Sequence, residues 1–454
     1  MSEPSSFSYS RRPWLWGVMA GLLVLLCGAT ATGSALLAYL TLRLPVMASG
    51  GLSMWVRQAA PSAGGVNRIV VVSEDGSLRT LNPDGTGRRL YHLSDLSFRF
   101  PAWSPDGASI AAIGSNASES GVYVLRDADN PQATALFLSQ GRAPFYLYWS
   151  PNSTQIAFLA NDPETGIGLW LADRERKDKA RQISSGQPYY WQWLQNSAEL
   201  FVHSGGEGIE ARLGFLKAED GGSGANIALP GVFQAPGLSP SGAYLAFAEE
   251  VGSQKSQVVI QAREGSERQT APYSGAVAMS WSPSSDQLAF ISPPVPAPHH
   301  FGPLRLLTPK TGEDRTLTGR TVVAFFWSPD GRSIAYLSPA GSGNDSGAGL
   351  PSTATLASTQ LQGQSLLLDL WLLDVSSGSQ RLLTTFQPGR LFVEQFLPYF
   401  DQYAFSHRLW SPASDALLLP LTESDGTERV YLVPTGGQSP RPLVEGTIGF
   451  WSQN

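Results

Sequence analysis

Five histidines are the first place to look for acid–base or metal chemistry: His92, His203, His299, His300 and His407. No His-Glu-x-x-His pair sets two imidazoles one helical turn apart beside a carboxylate, the spacing that binds zinc. His299 and His300 are adjacent and follow the proline-rich stretch from Pro293 to Pro298. Such a pair holds a metal only with convergent ligands and a supporting shell, so exposed loop histidines are the expectation. No Gly-x-Ser-x-Gly places a serine on a strained elbow for nucleophilic attack. The single cysteine, Cys27, excludes an internal disulfide and a thiolate zinc site. Asp75-Gly76, Asp84-Gly85 and Asp220-Gly221 lack the alternating acidic ligands of a calcium loop and read as hairpin turns. No catalytic, metal-binding or cofactor-binding residue is therefore assigned, and no cofactor is expected.

Recognition chemistry is easier to find. The stretch 386–407 holds Arg390, Phe392, Phe396, Tyr399, Phe400 and Tyr403, with Glu394 and Asp401 between them. Aromatic and arginine enrichment marks the cores of protein interfaces, which makes these six the candidate partner-binding residues. The same rings could instead cap the protein's own core or channel.

These residues need a frame, and a repeat supplies it. Trp103-Ser104-Pro105-Asp106-Gly107 is echoed at Trp149, Trp193, Leu238, Trp281, Trp327, Trp410 and Trp451, at spacings of 46, 44, 45, 43, 46, 83 and 41 residues. Ser-Pro-Asp-Gly places Pro at the second and Gly at the fourth position of a type I turn. An apolar strand follows each turn, as at Ile110 to Ile113 and Ile334 to Leu337, and three further short strands lead to the next Trp. Four strands per roughly 45 residues is the arithmetic of a propeller blade. A Trp at the end of each unit suits a plug between neighbouring blades. In the 83-residue interval the second strand starts late and the next Trp comes late. That interval is one blade with insertions at 340–365 and 386–407. The first is rich in Gly, Ser, Thr and Ala and reads as a mobile loop. One more unit precedes Trp103. The expected fold is all-β: an eight-bladed β-propeller of four-stranded blades, with seven blades as the alternative. If strands swap between blades, the two ends of the repeat must zip together in one composite blade.

The Trp-Ser-Pro-Asp-Gly turn followed by Ile156-Ala157-Phe158, Leu288-Ala289-Phe290 or Ile334-Ala335-Tyr336 resembles the TolB-like propeller repeat, over residues 67–454. The motif also occurs in propellers of the dipeptidyl-peptidase and prolyl-oligopeptidase families. It is specific for fold and poor for function. The resemblance implies an extracytoplasmic scaffold that binds protein partners at the channel mouth. The chain departs from TolB in having more blades and no room for TolB's separate α/β domain, which argues against a Tol-Pal role.

Residues 14–42 carry no charge, enough for a bilayer span of about 20 residues. Trp14, Trp16 and Tyr39 lie near the ends and Arg11 and Arg12 precede it. The expectation is a cytoplasmic N-terminus over 1–13, a transmembrane helix over 14–42 in the lipid bilayer, a linker over 43–66, and the propeller outside. A signal peptide cleaved after Ala29-Thr30-Ala31, or a lipid on Cys27, are the other readings. The formal charge of −6 argues against nucleic acid as a partner. The expected function is a non-enzymatic, membrane-anchored scaffold or accessory subunit that binds proteins in an envelope complex. A ligand-, glycan-binding or sensor propeller is the alternative, and a hydrolase or lyase at the channel mouth comes third.

Overall fold

The computed structural model describes residues 67–453 except 94, 129–131, 165, 178, 208–210, 252–255, 298 and 342–365. They form eight antiparallel sheets arranged as the blades of a β-propeller. Blade 1 is Ile69–Val72, Leu78–Leu81 and Arg89–Tyr91, closed on its inner edge by Ile448–Trp451 from the far end of the chain. Blades 2 to 7 each begin with an inner strand: Ser97–Trp103, Pro144–Trp149, Tyr189–Trp193, Gly237–Leu238, Ala278–Trp281 and Ala324–Trp327. Blade 8 contains Ala416–Thr422, Glu428–Pro434 and Arg441–Glu445. Blades 4 and 8 have three full strands. Isolated bridges stand in for the fourth: Leu216 with Ser223 on the outer side of blade 4, and Pro388 with Leu421 and Trp410 with Leu417 on the inner edge of blade 8.

The repeat unit read from the sequence is out of phase with the blades, and the turn explains why. In the Ser-Pro-Asp-Gly turns the fourth residue returns its N–H to the first carbonyl, as Gly331 to Ser328 at 2.8 Å and Gly242 to Ser239 at 2.8 Å. That fourth residue has positive φ in six of the seven turns, for example +82° at Gly107, +69° at Gly331 and +61° where Ser414 replaces Gly, Ser285 being the exception. A type I turn followed by a left-handed residue is a hairpin connection. The strands on either side of it therefore pair with each other, Trp327 with Ile334 and Trp149 with Ile156. The Trp strand is thus the innermost strand of the blade that follows, not the last strand of the unit before. The leftover strands at the two ends zip together: Ile69 pairs with Trp451 and Val72 with Ile448.

The repeat Trp residues are buried, and Trp193, Trp327 and Trp410 latch neighbouring blades together. The indole Nε1 of Trp193 donates to the Tyr148 carbonyl (3.2 Å), that of Trp327 to Ser280 (3.1 Å) and that of Trp410 to Phe326 (3.0 Å). Every acceptor is the residue just before the Trp of the preceding blade. A side chain that is large, apolar and carries one donor satisfies packing and hydrogen bonding together.

The closing seam has its own clamp. Asp127, at the end of the third strand of blade 2, is fully buried. Its carboxylate meets Arg68 Nε at 2.7 Å and Arg89 Nη1 at 3.1 Å. It also accepts from Thr80 Oγ1 at 2.7 Å and Tyr91 Oη at 2.6 Å. Arg68 in turn exchanges backbone and hydroxyl bonds with Ser452 (2.7 and 2.9 Å). Blade 2, blade 1 and the chain's last residues are held at one point.

Part of the expected fold is corrected. Among the described residues no helix is long and apolar enough to cross a membrane, so the transmembrane helix is not part of the described fold. Residues 14–42, like 1–13 and 43–66, lie outside the described residues, as does the body of the 340–365 insertion.

Candidate functional site: a channel filled by its own chain

The two faces of the ring differ by construction. One, the turn face, carries the Ser-Pro-Asp-Gly hairpins. The other, the loop face, carries the links between second and third strands and the crossings from each outer strand to the next blade. The 386–407 insertion is one such crossing, from Gln380–Phe386 of blade 7 into blade 8.

Along the inner edge of Ala416–Thr422 the chain starts as a strand. Thr422 N bonds to Gln387 O at 2.9 Å and Gly389 N to Pro420 O at 3.1 Å. It resumes as a strand at the turn-face end, where Leu418 N bonds to Leu409 O at 2.8 Å. Between these points it leaves the sheet and coils down the channel axis. The coil is irregular: a π-helical turn over Phe392–Phe396, a 3-10 turn over Leu397–Tyr399 and an α-helical turn over Phe400–Tyr403. Pro398 lacks the N–H that a regular helix would need, which fits the change of helix type beside it.

Its side chains fill the ring. Phe392, Phe396 and Phe400 are fully buried and Tyr403 is 5 % exposed. Phe396 stacks on Phe392 (5.2 Å) and Tyr403 (5.1 Å) and packs on Phe326 of blade 7 and Phe450 of blade 1. Phe400 lies edge-on to Phe325 at 5.3 Å. Tyr403 stacks on Phe100 of blade 2 (5.5 Å) and meets Tyr146 of blade 3 edge-on (5.2 Å). Phe100 holds a φ of +43° at a bulge in its strand, an uncommon conformation for a bulky residue. Of the six candidate partner-binding residues, these four face inward. Only Arg390 and part of Tyr399 reach solvent, and Arg390 already bonds Glu394 Oε1 at 2.8 Å. The aromatic cluster is channel core, the other reading of the sequence.

The polar groups here were missed by the sequence reading. The Gln402 amide accepts from Trp191 N (2.9 Å) and donates to Trp191 O (2.8 Å), completing the inner edge of blade 4 as a neighbouring peptide would. Its Nε2 also reaches Tyr146 Oη at 3.1 Å. Tyr146 Oη meets Ser406 Oγ (2.9 Å), and Ser406 Oγ meets His407 Nδ1 (2.6 Å). Gln234 of the crossing into blade 5 donates to Pro398 O at 3.0 Å. The signal that would have exposed this is the spacing of Phe392, Phe396, Phe400, Tyr403 and His407, which is helical and lines one face.

Charge inside the plug is suppressed. Asp401 is 1 % exposed and burial pushes its carboxyl up to about 7 against hydrogen bonds from Ala235 and Gln402. Burial takes His407 down to about 3 and His300 to about 4. His299 and His300 are both buried (8 % and 6 %), against expectation. His300 meets Phe301 and Phe400 of the plug, and His299 stacks on Phe301 at 4.9 Å. Among the described residues no group of three or more His, Cys, Asp or Glu side chains converges as a metal site.

Asp401 yields a signed prediction. Its folded pKa lies above the usual carboxylate value, so the folded state keeps a proton that the unfolded chain has lost between about pH 4 and 7. The stability this proton supports is full at about pH 4 and is lost as pH rises through 7. Asp401→Asn removes the titration. Relative to wild type it is expected to gain about 3 kcal/mol between pH 5 and pH 8, since about two pH units of the window lie above pH 5. Urea midpoints of both proteins at the two pH values check this, and parallel profiles would show that Asp401 ionises freely.

No protein-family model and no curated protein matches the chain. Solved structures do match, at low identity. Dihydro-heme d1 dehydrogenase NirN, solved in complex with DHE, is 14 % identical over 85 % of this chain and 75 % of that one, with a TM-score of 0.52. TolB from Acinetobacter baumannii is 16 % identical with a TM-score of 0.34. The match covers 55 % of this chain and spans 62 % of that TolB chain, less than two thirds. An oligogalacturonate lyase in complex with manganese is 13 % identical over 82 % of this chain and 98 % of the other, at 0.46. TolB-like propellers are thus among the similar structures, beside dehydrogenase and lyase propellers. At these identities the likeness is one of fold, and the fold hosts unrelated functions.

Proposed function

We propose that this propeller is a non-enzymatic protein-binding scaffold, an accessory subunit of a complex at the cell envelope, working through its loop face. One observation carries the reading: the channel, where a ring-shaped fold would hold a small molecule against convergent side chains, is occupied by Phe392, Phe396, Phe400 and Tyr403 of the chain itself. What the rigid ring then offers is its faces. Its location outside the cytoplasm belongs to the same proposal and is read by protease protection in spheroplasts.

The test is gentle solubilisation of native membranes after in-cell crosslinking, followed by recovery on a tag. The expected result is a defined partner in fixed ratio, crosslinked to loop-face residues. A chain recovered alone would overturn it. The second reading, a small-ligand sensor, would then be pursued at a cleft of about 360 Å³ between blades 8 and 1, lined by Asn67, Asp415, Gln438 and Trp451 among others.

A further inference from the structure

Eight large apolar side chains are exposed among the described residues. Leu90, Leu138 and Leu382 lie on outer strands, where single apolar residues are ordinary. The other five, Leu229, Val232, Val251, Val295 and Leu367, all lie on the loop face, in the connections of blades 4 to 7.

Four of the five are neighbours through the backbone. Leu229 O accepts from Glu250 N at 3.1 Å, which sets Leu229 beside Val251. Val232 O accepts from Val277 N at 3.0 Å. Two residues earlier, Gly275 touches Ala297 so closely that a Cβ there would lie 2.2 Å from the Ala297 oxygen. This brings the turn bearing Val295, 65 % exposed, alongside Val232. The stretch around Ala297 thus touches the crossing into blade 6, and the exposed apolar residues follow one another along the loop-face connections of blades 4 to 6 as an arc.

The same face is acidic. Outside the channel, its described connections carry nine carboxylates against two arginines, Arg142 and Arg390. Both arginines are already paired, with Asp162 at 3.2 Å and Glu394 at 2.8 Å. Two carboxylates stand at the arc itself. Glu250 adjoins Leu229, and Glu207 and Glu250 both act on the phenol of Tyr273, whose oxygen lies against Gly231. Among the described residues neither of these glutamates has an ion-pair partner.

Resting on the protein-binding reading, we infer that this arc docks a basic amphipathic segment of a partner protein. Its apolar side chains would seat on Leu229, Val232 and Val295, and its Lys or Arg residues would face Glu207 and Glu250. Charge complementarity picks this occupant. Carboxylates around an apolar arc repel an anionic lipid surface and steer a cationic protein segment toward it.

The probe is a labelled 18-residue Leu/Lys amphipathic peptide, with a Leu/Glu peptide of the same pattern as its counterpart, titrated into the full chain. The Leu/Lys peptide is expected to bind at least tenfold tighter than the Leu/Glu peptide, more weakly as salt rises. The double change Glu207→Lys with Glu250→Lys, and separately Val232→Ser with Val295→Ser, are each expected to weaken it at least tenfold with the melting temperature kept. Equal binding of the two peptides, or unchanged binding to both variants, overturns the inference. In cells, a photocrosslinker at Val295 separates the two levels. An adduct lost in the charge-reversed variant supports the inference. An adduct that persists there overturns it and leaves protein binding standing. Absence of an adduct from every loop-face position overturns both.

Discussion

Asp127→Ala is expected to cost about 3–5 kcal/mol, the range for leaving one member of a buried ion pair without its partner. The carboxylate receives Arg68 at 2.7 Å, Arg89 at 3.1 Å and two hydroxyls, all with no contribution from solvent. Removing it strands the Arg68 guanidinium, itself only 6 % exposed, at the seam where the first and last strands of the ring meet. Asp127→Asn should cost less, since an amide oxygen still accepts from Thr80 and Tyr91 while the charge is lost. The measurement is urea unfolding followed by tryptophan fluorescence. A loss below about 1 kcal/mol would mean that strand pairing alone closes the ring.

Phe396→Ala is expected to cost about 3–5 kcal/mol, as for a buried ring deleted from a packed core. Its ring is fully buried against Phe392, Tyr403, Phe326 and Phe450, so truncation opens a void between the plug and blades 7 and 1. Tyr399→Ala, in the same segment but half-buried, is the control and should move the midpoint little. The pair discriminates between two roles. A side chain kept for a partner would change binding and spare the midpoint, whereas a channel core residue does the reverse. Equal, small effects of both substitutions would contradict the packing described here.

The ring was legible because its determinants are local. Trp, Ser, Pro, Asp and Gly recur at about 45 residues, each with a turn conformation it favours, and eight recurrences give eight blades. The blade boundary was less legible, although the clue was present. Gly at the fourth position with positive φ makes the motif a hairpin turn, so the strands flanking it belong to one sheet. The plug was half legible. Its aromatics announced a cluster, and the steps of four, four, three and four from Phe392 to His407 announced a helical face. Pro398 and the strand context concealed it. Gln402 gave no signal and Asp401 only a place in the aromatic stretch, because what makes them matter is the bare inner edge of blade 4 and the crossing into blade 5, which meet them only once the ring is closed. The Asp127 clamp joins residues from two blades and the chain terminus, and no local pattern reports such a meeting.

The central claim is that residues 390–408 fill the channel, leaving the faces to do the recognising. Amide hydrogen exchange of the intact protein, read by mass spectrometry, tests it most directly. Peptides spanning 391–407 should exchange as slowly as the inner strands Pro144–Trp149 and Ala324–Trp327, over hours rather than seconds, because their amides are buried among them. Exchange within seconds, at the rate of an exposed loop, would mean that the segment lies outside the ring, and the open channel would return as the place for a ligand.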